Sequence, residues 1–124
     1  MNKIGICIVS HSKKLAQGVV DLISEVAKDV SLTYVGGTDE GGIGTSFAQV
    51  QAIVEANPCE TVLAFFDLGS ARMNMEMVAD FSDKTILIQQ VPIVEGAYTA
   101  AALLQAGADL DAVLAQLDEL TIQK

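Results

Sequence analysis

A single histidine, His11, stands directly after the apolar run Ile4-Gly5-Ile6-Cys7-Ile8-Val9 and its following serine, Ser10. An imidazole is nucleophilic while neutral, and free imidazole is largely neutral near pH 7. A carboxylate on one ring nitrogen fixes the tautomer and leaves the lone pair of the other nitrogen free to attack. Asp67, which follows the apolar run 61–66, is the candidate for that orienting role. Small residues stand at three places where a helix can begin: Ser12, the segment Gly44-Thr45-Ser46, and Gly69-Ser70. Backbone N–H groups at helix starts bind phosphoryl oxygens, so these six residues are the candidate phosphate-binding groups. The chemistry that fits is acceptance of a phosphoryl group on His11 with Asp67 holding the ring. It needs no cofactor, because phosphoryl transfer is mostly positioning and charge stabilisation. Each feature taken singly has a plainer reading: a histidine after a strand is commonly a cap or turn residue, and an aspartate before Gly-Ser is a capping signal. The glycine-rich stretch matches neither a P-loop nor a dinucleotide fingerprint.

The elements that must position these groups alternate in kind. The run 4–9 is short, nearly continuous and β-rich, the pattern of a strand buried on both faces. Leu15, Val19, Leu22, Ile23 and Val26 then fall at helical spacing and predict a helix over residues 12–28. A second strand is predicted over 32–35, followed by a loop over 36–42. Ile43, Phe47, Val50 and Val54 mark a second helix, closed by Asn57-Pro58. The third strand, 61–66, leads through Asp67-Leu68-Gly69-Ser70 into a helix where Met73, Met77 and Phe81 recur every four residues as expected core filler. A fourth strand is predicted over 85–88, and Pro92 is placed to open the next helix at its first position. That alanine-rich helix runs to about Ala106 and stops at Gly107; Leu110, Val113, Leu114 and Leu117 define a last one. Four strand–helix alternations predict one doubly wound α/β domain over residues 1–124, with a four-stranded, mostly parallel sheet and helices on both faces. Strand order 2-1-3-4 is a common solution, and it would bring the loops carrying His11, Asp67 and Thr45-Ser46 together at the switch point beyond the strand ends.

Composition narrows the function further. Sixteen acidic against seven basic residues give a formal charge of −9, which argues against nucleic acid and against an anionic membrane surface. The charge reads as a solubility device, or as an acidic face that steers a basic partner. Cys7 and Cys59 form no C-x-x-C, and with one histidine in the chain neither a metal site nor a structural disulfide is expected. No apolar run is long enough to span a bilayer, and the lead Met1-Asn2-Lys3 with its short apolar run is not a signal peptide, so a cytoplasmic protein is expected.

The residues then resemble a known family. His11, Ser12, Ala16 and Gly18 form H-S-x-x-x-A-x-G directly after the first strand, which resembles the active-site segment of the mannose-type IIA (EIIA) domains of the bacterial phosphotransferase system. Asp67-Leu68-Gly69-Ser70 resembles that family's second segment, whose aspartate supports the phosphorylated histidine. A longer set is similar to a narrower branch, the phosphoryl-donor subunits of phosphotransferase-dependent dihydroxyacetone kinases. That set comprises Asp67-Leu68-Gly69-Ser70-Ala71-Arg72-Met73-Asn74, Val91-Pro92-Ile93-Val94-Glu95-Gly96-Ala97, and Gly36-Gly37-Thr38-Asp39 with Gly44-Thr45-Ser46. The similarity spans essentially the whole chain.

The resemblance implies a homodimer, a phosphotransferase working through a phosphohistidine, and a relay. Phosphorylated HPr donates to Nε2 of His11, with Asp67 at Nδ1. The group then passes to ADP held by the DhaL subunit, which phosphorylates dihydroxyacetone bound on DhaK. ADP, ATP and magnesium would belong to DhaL. Some relatives carry fused HPr-like domains; a chain ending near Lys124 is expected to use free HPr. The alternative is a IIA domain of a sugar permease; sugar-transporting members usually have a second glycine and a proline where this chain has Ser70-Ala71-Arg72, which argues against a sugar-transport role. Arg72 reads equally as a contact to phosphate or partner and as a solvated helix residue. A receiver-like signalling domain would need acidic residues at the end of the first strand to hold magnesium, where Ser10-His11-Ser12 stand.

Overall fold

The computed structural model describes residues 4–124; the reading made of residues 1–3 lies outside them. Nine elements follow in order: β1 (Ile4–Ser10), α1 (Lys13–Ser24), β2 (Leu32–Gly36), α2 (Phe47–Ala56), β3 (Thr61–Phe66), α3 (Gly69–Phe81), β4 (Thr85–Gln89), α4 (Ile93–Gln105) and α5 (Leu110–Asp118). The strands form one sheet in the order β2-β1-β3-β4, and every ladder is parallel. The predicted architecture and strand order are the observed ones.

The continuous apolar runs exist because the central strands are covered twice. Ile6 and Ile8 of β1, with Leu63 and Phe65 of β3, point into a core layer shared with α1, α4 and α5. Their alternates Cys7, Val9, Val62, Ala64 and Phe66 point into a second layer under α2 and α3. Both cysteines are buried and free, Cys7 acting as a small apolar residue whose thiol burial pushes up. Among the described residues Asn57 is one of two buried polar ones, with Ser10: its Nδ2 donates to Ile6 O at 3.2 Å and Ser31 O at 3.4 Å, and its Oδ1 accepts from Cys59 N–H at 3.1 Å. It ties the end of α2 to the interior of β1.

Several helix faces differ from the predicted ones. α1 ends at Ser24 rather than 28, and its buried face is Ala16, Val19, Val20 and Ile23, with Leu15 and Leu22 exposed. Ile43 lies outside α2 and is 77% exposed, because Ser46 caps the helix and starts it at Phe47. In α3 the predicted stripe of Met73, Met77 and Phe81 faces outward, Met73 being 65% and Phe81 74% exposed, while Ala71, Met75 and Val78 pack on the sheet. A spacing of four marks a stripe but not the side it faces. Here the choice falls to Ala71, whose small side chain lets α3 lie close to β3. Pro92 is the N-cap of α4 rather than its first residue, and Gly107 ends that helix at φ 91°.

One close approach shapes the site. A Cβ on Gly36, at the end of β2, would lie 2.4 Å from Ser12 O and 2.7 Å from Lys13 Cα, both backbone atoms of the turn that follows His11. Replacing Gly36 by alanine must therefore move that turn. Gly36→Ala is expected to destabilise the fold by about 1–3 kcal/mol, read as a lower urea midpoint with unchanged slope.

Candidate active site

His11, Asp67 and the turn 37–46 leave the carboxyl ends of β1, β3 and β2, which this strand order places side by side. His11 Nδ1 lies 2.8 Å from Asp67 Oδ1. The His11 backbone N–H donates to Asp67 Oδ2 at 3.0 Å, and the Leu68 N–H to Oδ1 at 2.7 Å. Ser10, the buried last residue of β1, donates its hydroxyl to Oδ2 at 2.7 Å and accepts from Ser12 N–H at 3.0 Å. Four donors thus converge on one carboxylate. Burial pushes the Asp67 carboxyl up, but the bonds from Ser10, the His11 ring and the two backbone amides outweigh it and hold it below the ordinary carboxylate value. An ionised carboxylate only accepts, so Nδ1 carries the proton and the neutral ring keeps its lone pair on Nε2.

Nε2 faces the start of α3, in direct hydrogen-bond contact with Ser70 Oγ. The side chains of His11 and Asp67 are 14% and 12% exposed, so the pair is sheltered but open on one side. Leu68, the N-cap of α3, provides no side-chain cap, and the first N–H groups of a helix have no acceptor within it. The Ser70 contact thus brings the nucleophilic nitrogen to the positive end of the α3 dipole. Asp67 binds Leu68 N–H but does not cap the helix, so its geometry is that of a ring-orienting group.

The six candidate phosphate-binding residues divide. Gly69 and Ser70 stand at the uncapped helix start beside the ring. The other four come close but are engaged. Ser12 caps α1 through its hydroxyl, and Ser46 caps α2. The Gly44 N–H donates to His11 O at 2.8 Å, and Thr45 Oγ1 accepts from Asn74 Nδ2 at 2.7 Å. These contacts clamp the turn 37–46 to the histidine on one side and to α3 on the other. Sequence reasoning missed Ser10, although a hydroxyl closing an otherwise apolar buried run is a signal that could have found it. Arg72 is held by Glu76 at 3.2 Å and Gln90 at 2.6 Å. Among the described residues no group of three or more His, Cys, Asp or Glu could hold a metal ion.

The family model for the PTS system fructose IIA component, EIIA-man, matches residues 5–114, most of the chain. The chain belongs to that family. Within EIIA-man it is 52% identical over 120 residues to a Lactococcus lactis protein named as the phosphotransferase subunit DhaM of PTS-dependent dihydroxyacetone kinase, covering 97% of this chain and 98% of that one. It is 46% identical over 119 residues to a Listeria innocua protein named as phosphoryl donor subunit DhaM of PEP-dependent dihydroxyacetone kinase 1, covering 96% of each. A crystal structure of a protein of unknown function, 27% identical, superposes with a TM-score of 0.85 over 98% of this chain and 97% of that one. This EIIA-man chain therefore sits in the DhaM branch.

The lowered Asp67 value has a definite consequence for stability. A carboxyl whose folded value lies below its unfolded value stabilises the fold fully above the ordinary carboxylate range, about 4, and loses that contribution as the pH falls through the folded value. Asp67→Asn is expected to lower stability at pH 7 by roughly 1–3 kcal/mol, since it removes a charged acceptor from four donors. Urea titrations of both proteins should show that gap closing only below about pH 4.

Proposed function

We propose that this chain is the phosphoryl-donor subunit of a phosphotransferase-dependent dihydroxyacetone kinase, a cytoplasmic carrier that is phosphorylated on His11. The observation that carries the reading is the 2.8 Å contact between His11 Nδ1 and Asp67 Oδ1, with Nε2 turned to the uncapped start of α3. Names of relatives 52% and 46% identical over nearly the whole chain support the same assignment. Among the described residues no helix is long and apolar enough to cross a membrane.

The donor is phosphorylated HPr. Nε2 of His11 attacks the phosphorus in line, the donor's N–P bond breaks as the Nε2–P bond forms, and the departing imidazole keeps the electron pair. The proton stays on Nδ1, which goes on donating to Asp67, whose carboxylate offsets the positive charge that builds on the ring. Ser70 Oγ gives up its contact with Nε2 and, with the first amides of α3, donates to the phosphoryl oxygens. In the second half-reaction a terminal oxygen of ADP bound on DhaL attacks the same phosphorus and the imidazole recovers its lone pair. The resulting ATP phosphorylates dihydroxyacetone on DhaK. Magnesium and nucleotide belong to DhaL, and the carrier works as a homodimer. The Ser70-Ala71-Arg72 sequence after Gly69 favours this reading over a sugar-permease component.

Mass spectrometry under neutral conditions, after incubation with phosphoenolpyruvate, enzyme I and HPr, is expected to place one acid-labile phosphoryl group on His11 and none in His11→Ala. Label persisting in that variant would overturn the mechanism. Asp67→Asn and Asp67→Ala should remain folded and accept the group roughly 10²–10⁴-fold more slowly, as loss of tautomer control does in catalytic triads. Chelation of magnesium should spare the step from HPr to His11. Addition of DhaL with ADP and DhaK with dihydroxyacetone should give dihydroxyacetone phosphate, a product a sugar-permease component would not yield.

A further inference from the structure

Residues 119–124, after α5, stay packed against the domain. Segment 119–124 turns back across the carboxyl end of the sheet, where the Ile122 N–H donates to Gln90 O at 2.9 Å. Two residues later the Lys124 ammonium donates to Phe66 O at 2.5 Å and stands 4.2 Å above the centre of the Phe66 ring. Phe66 is fully buried and is the residue directly before Asp67. Gln90 is shared: its backbone carbonyl holds the strap, and its side-chain oxygen accepts from Arg72 Nη1 at 2.6 Å. Arg72 lies in the first turn of α3, two residues after Ser70.

We infer that Lys124 is a positioning residue of the phosphoryl-accepting site, the clasp of a strap that fixes the exit of β3 from which Asp67 projects. The inference rests on the reading of His11 as the phosphoryl acceptor and adds to it a residue outside the motifs of the site. A charge-assisted bond to the last carbonyl of β3, combined with a cation over an aromatic face, holds that carbonyl more firmly than a neutral donor could. Burial lowers the Lys124 ammonium from its ordinary value while the Asp67 carboxylate acts in the opposite sense, so the two charges feel one another. The strap thus places a cation beside a site that must take up an anionic group on a chain of formal charge −9. Through Gln90 and Arg72 the same strap reaches the turn of α3 that carries Ser70, so both walls of the imidazole site are tied to it.

The test compares Lys124→Gln, which removes the charge, with Lys124→Arg, which keeps it. Lys124→Gln is expected to accept the phosphoryl group from HPr about 10-fold more slowly, less than the ~100-fold that a full 1 Å misplacement costs. Lys124→Arg should stay within about 3-fold of the parent, since a guanidinium can make both the carbonyl bond and the aromatic contact. Both should keep the parent's thermal midpoint within about 3 °C. Imidazole ¹⁵N spectra of the unphosphorylated proteins check positioning without any transfer: the hydrogen-bonded Nδ1–H signal of His11 should shift or broaden in Lys124→Gln and return in Lys124→Arg. Parent-like rates and spectra in Lys124→Gln, or equal losses in both variants, would overturn the inference. Failure of the parent itself to be labelled would strike the phosphoryl-acceptor reading instead, and the spectra would still decide the role of Lys124.

Discussion

The site is organised around the carboxylate of Asp67 and the four donors that meet on it. Two come from side chains, Ser10 and His11, and two from the backbone amides of His11 and Leu68. Each bond joins the carboxyl end of β1 to that of β3 or tightens the exit of β3 itself. A largely buried carboxylate with fewer donors would be costly to ionise; with four it stays charged and dictates which ring nitrogen carries the proton. The tautomer of His11, and with it the identity of the nucleophilic atom, is therefore a consequence of how two parallel strands end.

That ending is possible only at the switch point of the sheet. β1 and β3 are hydrogen-bonded neighbours although an entire strand and two helices separate them in the chain, and their following segments diverge to opposite faces. The polypeptide takes advantage of the gap unevenly. Helices α1, α2 and α5 have side-chain N-caps from Ser12, Ser46 and Asp109, while α3 and α4 have none, and of these two it is α3 whose first turn meets the imidazole. An uncapped start is less stable than a capped one, by about 1 kcal/mol, and it is also the only kind that can offer amides to an incoming anion. Placing it opposite Nε2 converts a structural weakness into a phosphoryl-binding feature.

Electrostatics at the site are local rather than global. The chain as a whole is strongly acidic, yet apart from the Asp67 carboxylate the ring meets the Ser70 hydroxyl at the N-terminus of α3. Such fixed dipoles favour a phosphoryl group without requiring a cluster of basic residues or a metal ion, and they need little rearrangement as charge develops. The cations near the site, Arg72 and Lys124, are engaged with Gln90, Glu76 and Phe66 and act on the framework around it.

Much of this was legible in the sequence. Doubly covered strands reveal themselves as unbroken apolar runs, because residues 6–9 of β1 and 62–66 of β3 each meet one core layer or the other. Alternation with helices then leaves few ways to connect the strands, and chemistry-bearing residues directly after those runs, His11 and Asp67, had to lie at the sheet's carboxyl edge. Tertiary structure decided what local pattern cannot encode. A four-residue spacing names a helical stripe but not its orientation, so Met73, Met77 and Phe81 could turn to solvent while Ala71, Met75 and Val78 packed inward. Small residues near a helix start look alike in sequence, yet Ser12 and Ser46 are used as caps and Ser70 is free to meet the ring. Ser10 and Lys124 gain their roles only through partners 57 and 58 positions away, and contacts at that separation are set by the packing of the whole sheet rather than by any neighbourhood of residues.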